Sequence, residues 1–421
     1  MELHKNGWAS SRSWSSLIRP AILIALVGLI GYRRVQSTPP ELIDFYNAYY
    51  PAGRLILEAP ERLYSFAKLI VLGFVNLPII AYLFTPFSLL DEFPAGFLFT
   101  LVGVVSVVTF VWWLIRLANL KGWRKFALIT LVVVSTPTYY SIWLGNTTHT
   151  VFLFVLASFL CARLKRDFLS GAFLAIAGLL KIPLLFPILY FILRRRWQAL
   201  KGFVATLIGI VGLSILVCGF SLNWVWFEKN ILSFSDGAVI AYNNQSVDSF
   251  LLRFLTNAPI DSWELVQGNW QFKLLRYGLF LLLIGGTMAV ILCSKKIESS
   301  QAENLEFSSI LCLGLLISPI SWTHYYILLL LPIALYLGGQ LSIPRQGYWL
   351  LLMGISILLI STPHIRRVPF ENPVLAAFTR YFLVSHFFLG GTLLLGILLL
   401  TRYRLGFTSK LLGIRKSERS N

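Results

Sequence analysis

Asp44, Lys181 and His324 are the residues of this sequence whose types and settings can do chemistry. Asp44 lies in the run Glu41-Leu-Ile-Asp44-Phe45-Tyr46-Asn47-Ala48-Tyr49-Tyr50-Pro51-Ala52-Gly53-Arg54, with Pro60-Glu61-Arg62-Leu63-Tyr64 following. Its aromatic neighbours favour a membrane interface and can stack on sugars, a setting in which a carboxylate can act as a general base. A solvated loop acid or a helix cap would give the same pattern. Lys181 stands at the centre of the apolar stretch 168–193, where an ammonium is costly. It can reach a lipid phosphate, snorkel to an interface, or pair with an acid from another segment. His324 closes Ser318-Pro319-Ile320-Ser321-Trp322-Thr323-His324 within a second apolar stretch, 307–339. It is either a satisfied core histidine or an N–H donor for a phosphate oxygen.

Further candidates are softer. Asn243-Asn244-Gln245-Ser246 offers amides suited to sugar hydroxyls, although asparagine-rich turns are common, and Arg253 offers a guanidinium fork suited to phosphate. Asp91, Glu92, Asp236, Asp248, Asp261 and Glu264 read as solvated loop acids. Arg366-Arg367 would meet lipid headgroups or an anionic acceptor. Cys161, Cys218, Cys293 and Cys312 all lie in apolar runs without metal-ligand spacing and read as small core residues. The sequence has no Gly-x-Gly-x-x-Gly, Walker loop or His-Glu-x-x-His, which argues against nucleotide-powered transport and zinc hydrolysis.

The elements that must position these residues are membrane helices. Of 421 residues, 57% are hydrophobic and 13% charged, and apolar stretches near 20 residues recur throughout. That excludes a soluble domain and predicts one all-α polytopic domain over 1–421. Spans are predicted at 20–32, 94–115, 126–144, 149–163, 202–220, 277–294, 347–361 and 381–400. The stretches 168–193 and 307–339 are expected to be hairpins of two short helices with polar tips at Lys181 and His324. The segment 69–90, broken by Asn76, Pro78 and Pro86, suits a reentrant piece. With the N-terminus inside, 23 of the 36 Lys and Arg fall on cytoplasmic segments with 6 of the 18 acids. The net charge of +18 is then a topology signal, and nucleic acid is not needed to explain it. Both termini are expected in the cytoplasm, with 12 spans. The loops 33–93 and 221–276 then belong to the opposite face, together with 362–380 and the hairpin tips.

Several motifs recur in order over about residues 40 to 325: Asp44 through Gly53 with Leu63-Tyr64; Phe84-Thr85-Pro86-Phe87; Gly145-Asn146; Gly171 through Lys181-Ile182-Pro183 to Arg195-Arg196-Trp197; Asn244-Gln245-Ser246 with Arg253; and Ser318 through His324. In these the chain resembles the polyprenol-phosphate-mannose-dependent alpha-mannosyltransferases, membrane enzymes of the C-type glycosyltransferase fold. The resemblance implies a fold of about 10–12 transmembrane helices and an acid in the first extracytoplasmic loop, Asp44, as catalytic base. It implies Lys181, Arg253 and His324 at the donor phosphate, and Tyr49, Tyr64, Asn146, Asn244, Gln245 and Trp322 at the sugar or acceptor. Where the family usually has Gly-Gln followed shortly by Asn, this chain has Gly145-Asn146-Thr147-Thr148-His149. The implied reaction is inverting transfer of a hexose, mannose by resemblance, from a polyprenyl-phosphate donor to a glycolipid or glycan acceptor, giving an alpha linkage. It would take place on the extracytoplasmic side of the plasma membrane. One phosphate can be neutralised by side-chain cations, so no metal or cofactor is expected. The rival class is a secondary transporter or lipid flippase, whose halves would repeat their hydropathy. No second copy of the Asp44 segment is present.

Overall fold

The computed structural model describes residues 42–67, 73–234, 237–256, 258–293 and 299–418, with side chains to Gly406 in the last helix. The expected first span 20–32 and its flanking Lys5, Arg12 and Arg19, as well as Asp236 and the Cys293 side chain, lie outside these residues.

Among the described residues, Glu92–Leu117, Trp197–Phe234, Trp270–Leu292 and His386–Gly406 are long and apolar enough to cross a membrane. Ile208, Leu213, Leu216, Val217 and Phe220 are exposed along the second of these. Such an apolar surface suits lipid and would be a liability in water. The chain is a multi-pass membrane protein. The predicted span 126–144 is not one straight helix: Trp123–Val134 and Thr136–Trp143 meet at 46°. Pro137 lies in the first turn of the second piece and Ser135 is extended, so the ladder cannot run through. The predicted span 202–220 is longer than expected. Its helix runs on to Asn230 past a kink at Gly219 (φ 79°, ψ 156°). There the Asn223 amide donates to the freed carbonyls of Gly219 (2.7 Å) and Ser214 (3.1 Å).

Both expected hairpins form. The first leg, Asp167–Leu180, ends at Lys181, which is extended; Pro183 has no N–H to give to the Leu179 carbonyl, so the α-helical ladder stops and the tight turn Ile182–Leu185 follows. The return through Ile188–Leu193 brings Arg196 back to Asp167, 3.2 Å away. The next helix then runs alongside the first leg: a Cβ on Gly171 would lie 1.8 Å from the Ala199 carbonyl oxygen, and one on Gly202 2.0 Å from that of Phe168. Small residues let these backbones touch. The second hairpin pairs Ser300–Ile317 with Thr323–Gly338, and the Asn304 amide donates to the Gln340 carbonyl across its open end (3.1 Å).

The open ends of the hairpins are cross-tied by ion pairs, with Glu306 buried and Glu303 partly exposed. Glu303 takes Arg196 at 2.5 Å, and Glu306 takes Arg402 at 2.6 Å and also Arg194. The first leg is about 21 Å long at 1.5 Å per residue, short of a hydrocarbon core of roughly 30 Å. The first leg is therefore not the full crossing that a count of 12 spans assumed, and its tip needs protein around it.

The loops at that end supply the cover. In the first, Phe45–Tyr49 packs onto Glu92–Leu117, with Phe45 stacked on Phe99 at 4.4 Å, and Tyr50–Glu58 packs onto Pro78–Ser88, where a Cβ on Gly53 would lie 2.6 Å from the Phe84 carbonyl carbon. In the second, a short antiparallel ribbon pairs Gly237–Val239 with Leu265–Gln267 and precedes the helix Val247–Leu255. Its segment 243–245 is bonded to the second tip: Thr323 N–H donates to Asn243 (2.8 Å) and Gln245 N–H to Ser321 (2.7 Å).

Candidate active site

Asp44 opens the π-helical turn Phe45–Tyr49, yet its side chain does not cap it. The backbone N–H of Asp44 donates to Leu144 at 2.8 Å, and Oδ2 accepts from Asn146 Nδ2 at 2.5 Å. The helix-cap alternative is therefore excluded. Asn146 can reach because Gly145 takes a left-handed conformation (φ 64°) against Phe45, where a Cβ would come within 2.8 Å of the Phe45 Cβ. Asn146 Oδ1 accepts from the Thr148 backbone (3.1 Å) and hydroxyl (2.8 Å), which leaves its NH2 group for Asp44. Burial pushes the Asp44 carboxyl above the ordinary aspartate value, with the Asn146 hydrogen bond and the nearby Lys181 ammonium acting against that rise.

Lys181 lies at the first tip with Nζ 5.1 Å from the centre of the Tyr325 ring, a cation–π contact that joins the two tips. Its charge reaches both Asp44 and His324. His324 is 2% exposed, packs its ring 4.9 Å from Tyr325 and 6.2 Å from Tyr140, and has no hydrogen-bond partner on either nitrogen. A buried imidazole with two free positions is not a satisfied core histidine. Tyr49 stacks on Phe84 at 4.6 Å and places its hydroxyl 3.4 Å from Thr147. Asp44, Tyr49, Asn146, Lys181 and His324 are thus brought together from the first loop, the turn after Trp143 and both tips. The result is a held carboxylate beside a cation and an unpartnered imidazole.

The sequence profile of glycosyltransferase family 87 matches residues 74–319, more than half of the chain. The chain belongs to this family. A curated relative from Mycolicibacterium smegmatis is 26% identical over 365 residues, covering 82% of each chain. It is named as a polyprenol-phosphate-mannose-dependent alpha-(1-2)-phosphatidylinositol pentamannoside mannosyltransferase. The chain is accordingly a glycosyltransferase with the all-α, C-type membrane fold, and the transporter alternative falls. Lys181 and Asn146 lie inside the matched segment; Asp44 precedes it and His324 follows it.

In this glycosyltransferase several expected site residues are used as scaffold. The resemblance places Asn244 and Gln245 at the sugar, but their amides are consumed by backbone. Asn244 Nδ2 donates to Val239 (2.9 Å) and Pro319 (3.1 Å), and its Oδ1 accepts from Ser321 N–H (2.8 Å). Gln245 Nε2 donates to Tyr242 (2.6 Å) and Val384 (2.7 Å), and its Oε1 accepts from Phe388 N–H (3.2 Å). Arg253, expected at the donor phosphate, is fully buried and gives Nη1 to the carbonyls of Ile240, Ala241 and Asn244 and Nε to Ser385. Tyr64 donates to Asn76 (2.7 Å), whose amide in turn caps the Leu180 carbonyl beside Lys181 (3.3 Å). These four hold the loops onto the tips, and of them Arg253 keeps one buried nitrogen, Nη2, without a partner. Trp322 is half-buried and its backbone pairs with Asn244.

Asp248 is another correction. It is fully buried and pairs with Arg276 at 3.0 Å, where a solvated loop acid was expected. Burial raises its carboxyl to about 6 in spite of the arginine. Tyr325, Tyr140 and His149 carry no pattern that marks them for the site in advance. The last donates to or accepts from Ser141 Oγ at 2.8 Å through Nδ1.

Proposed function

We propose that this glycosyltransferase transfers a hexose, mannose in the reading that the relative's name supports, from a polyprenyl-phosphate donor to a glycolipid or glycan acceptor with inversion at the anomeric carbon. One observation carries the proposal: Asp44, oriented by Asn146, lies within reach of the Lys181 charge, which also acts on His324 with its two unpartnered nitrogens. Asp44 takes the proton of an acceptor hydroxyl as that oxygen bonds to the anomeric carbon. The bond from that carbon to the phosphate oxygen breaks on the opposite face, and the phosphate leaves with its charge met by Lys181 and an N–H of His324. A beta-linked donor then gives an alpha-linked product. In this reading the Arg-rich hairpin ends and both termini face the cytoplasm, and the site faces the other side of the plasma membrane.

The test is purified protein incubated with a panel of polyprenyl-phosphate sugars and membrane-derived acceptors, with the product linkage determined by NMR. Turnover of a polyprenyl-phosphate hexose to an alpha product is expected. It should fall by about 10² to 10⁴ in Asp44→Asn, which preserves the Asn146 contact and removes the base. Wild-type turnover in that variant, or a beta product, would overturn the reading.

A further inference from the structure

Beside Asp44, on the turn that receives its backbone N–H, lies an aromatic and cationic surface that the reaction above does not use. Trp143 precedes Leu144, whose carbonyl accepts the Asp44 N–H. The Trp143 ring lies nearly parallel to Tyr140, 5.8 Å away at 14°. The Arg366 guanidinium sits 6.0 Å from the centre of Trp143 and 5.8 Å from that of Tyr242. His364 packs between the two tyrosines at 4.4 and 5.5 Å, with Nε2 unpartnered. Asn243 fixes the frame: its amide donates to the Tyr140 hydroxyl (3.2 Å), and its Oδ1 accepts from Trp263 (3.1 Å). Tyr140 and Tyr242 are buried, Trp143 is half-buried and Arg366 is exposed, so the surface is rigid beneath and open above. No carboxylate pairs with Arg366 among the described residues, and the aromatic faces leave its N–H edges for a ligand.

We propose that Trp143, Tyr140, Tyr242 and Arg366 form the acceptor subsite, and that the acceptor is a glycan carrying a phosphate or carboxylate next to the sugar that is glycosylated. The sugar ring lies against Trp143 and the anion takes the Arg366 fork. The assignment rests on Asp44 being the base, because it needs the hydroxyl beside that carboxylate.

The test uses the purified full chain and three soluble probes: methyl α-mannoside, its 6-phosphate, and methyl α-glucuronoside. Binding is read by quenching of tryptophan fluorescence. One of the anionic probes should bind at least about tenfold tighter than the neutral one, the gain of one charge-assisted contact. Which of the two does so identifies the anion. Arg366→Gln should erase that advantage, and Trp143→Leu should weaken all three. Equal binding of charged and neutral probes overturns the proposal. So does inorganic phosphate competing as well as the sugar phosphate, which would mark a headgroup site. Absence of transfer to any acceptor by the wild type would instead count against the transfer reaction, because probe binding is measured separately from it.

Discussion

The amide of Asn146 donates to one oxygen of the Asp44 carboxylate at 2.5 Å, and it has no freedom to do otherwise, because Thr148 occupies its carbonyl twice. The bond joins the first loop to the turn after Trp143 and leaves the other carboxylate oxygen for the proton transfer proposed above. It also favours the charged form of a carboxyl that burial pushes toward neutrality.

Asn146→Leu should therefore move the acid limb of kcat/KM upward. The base must be ionised to act, the rate falls as pH drops through its pKa, and losing the donor raises that pKa further. A shift toward neutral pH together with a fall in kcat of about tenfold or more is expected from a pH–rate profile. Asn146→Gln, which keeps an amide, should recover part of it. A purely structural role would lower the rate equally at every pH.

The clearest lesson about legibility comes from comparing residues of similar type. Lys181 and His324 were visible in the sequence because each interrupts an apolar stretch beside a proline, a pattern that forces a tip and leaves the polar group in need of a partner. Asn244, Gln245 and Arg253 carried an equally polar signature, yet the amides are spent on backbone groups and Arg253 gives Nη1 to three carbonyls and Nε to Ser385. Amide and guanidinium groups serve as well for holding irregular backbone as for holding a sugar, and composition does not distinguish the two. The hairpins were legible from charge, since Arg194 to Arg196 had to return to the side of Asp167. Their cross-ties through Glu303 and Glu306 were not, because those pairs are 96 to 112 residues apart in sequence.

Asn244 offers a stability test of the scaffold assignment. Asn244→Ala leaves the Ser321 N–H without its acceptor and takes one of two donors from the carbonyls of Val239 and Pro319, which keep the hydroxyls of Ser249 (2.8 Å) and Ser246 (3.4 Å). At about 1–3 kcal/mol for a buried group left unmade, the variant should unfold below the wild-type temperature in a detergent melt. Donor affinity of the fraction that remains folded should be unchanged.

The hairpin ends make a sharper prediction. Glu306 holds both Arg194 and Arg402, and its side chain and that of Arg402 are essentially inaccessible. Glu306→Gln keeps the shape and removes the charge, leaving two arginines facing each other. A loss of roughly 3–5 kcal/mol is expected, the scale for breaking a buried pair from one side. Glu306→Leu combined with Arg402→Met removes one arginine along with the carboxylate and should be less damaging than Glu306→Gln alone. Thermal melts of the two variants in one detergent decide the order.

Lys181→Met separates two uses of the same cation. No carboxylate lies within 4 Å of Lys181 among the described residues; its close partner is the face of Tyr325, and Asp44 feels it only at longer range. If its charge serves a donor phosphate, methionine fills the same apolar space and keeps contact with Tyr325, so the melting temperature should hold or rise. Donor-lipid affinity should then fall by about tenfold or more, the equivalent of a charge-assisted contact. The same variant should push the acid limb of the pH–rate profile upward, since the ammonium is one of the two groups that keep Asp44 ionised. If Lys181 served mainly to neutralise Asp44 for folding, the substitution would strand a buried carboxylate and cost stability first, with donor affinity unaltered. Measuring affinity, melting temperature and pH profile on one preparation distinguishes these outcomes, and the geometry of the tip predicts the first.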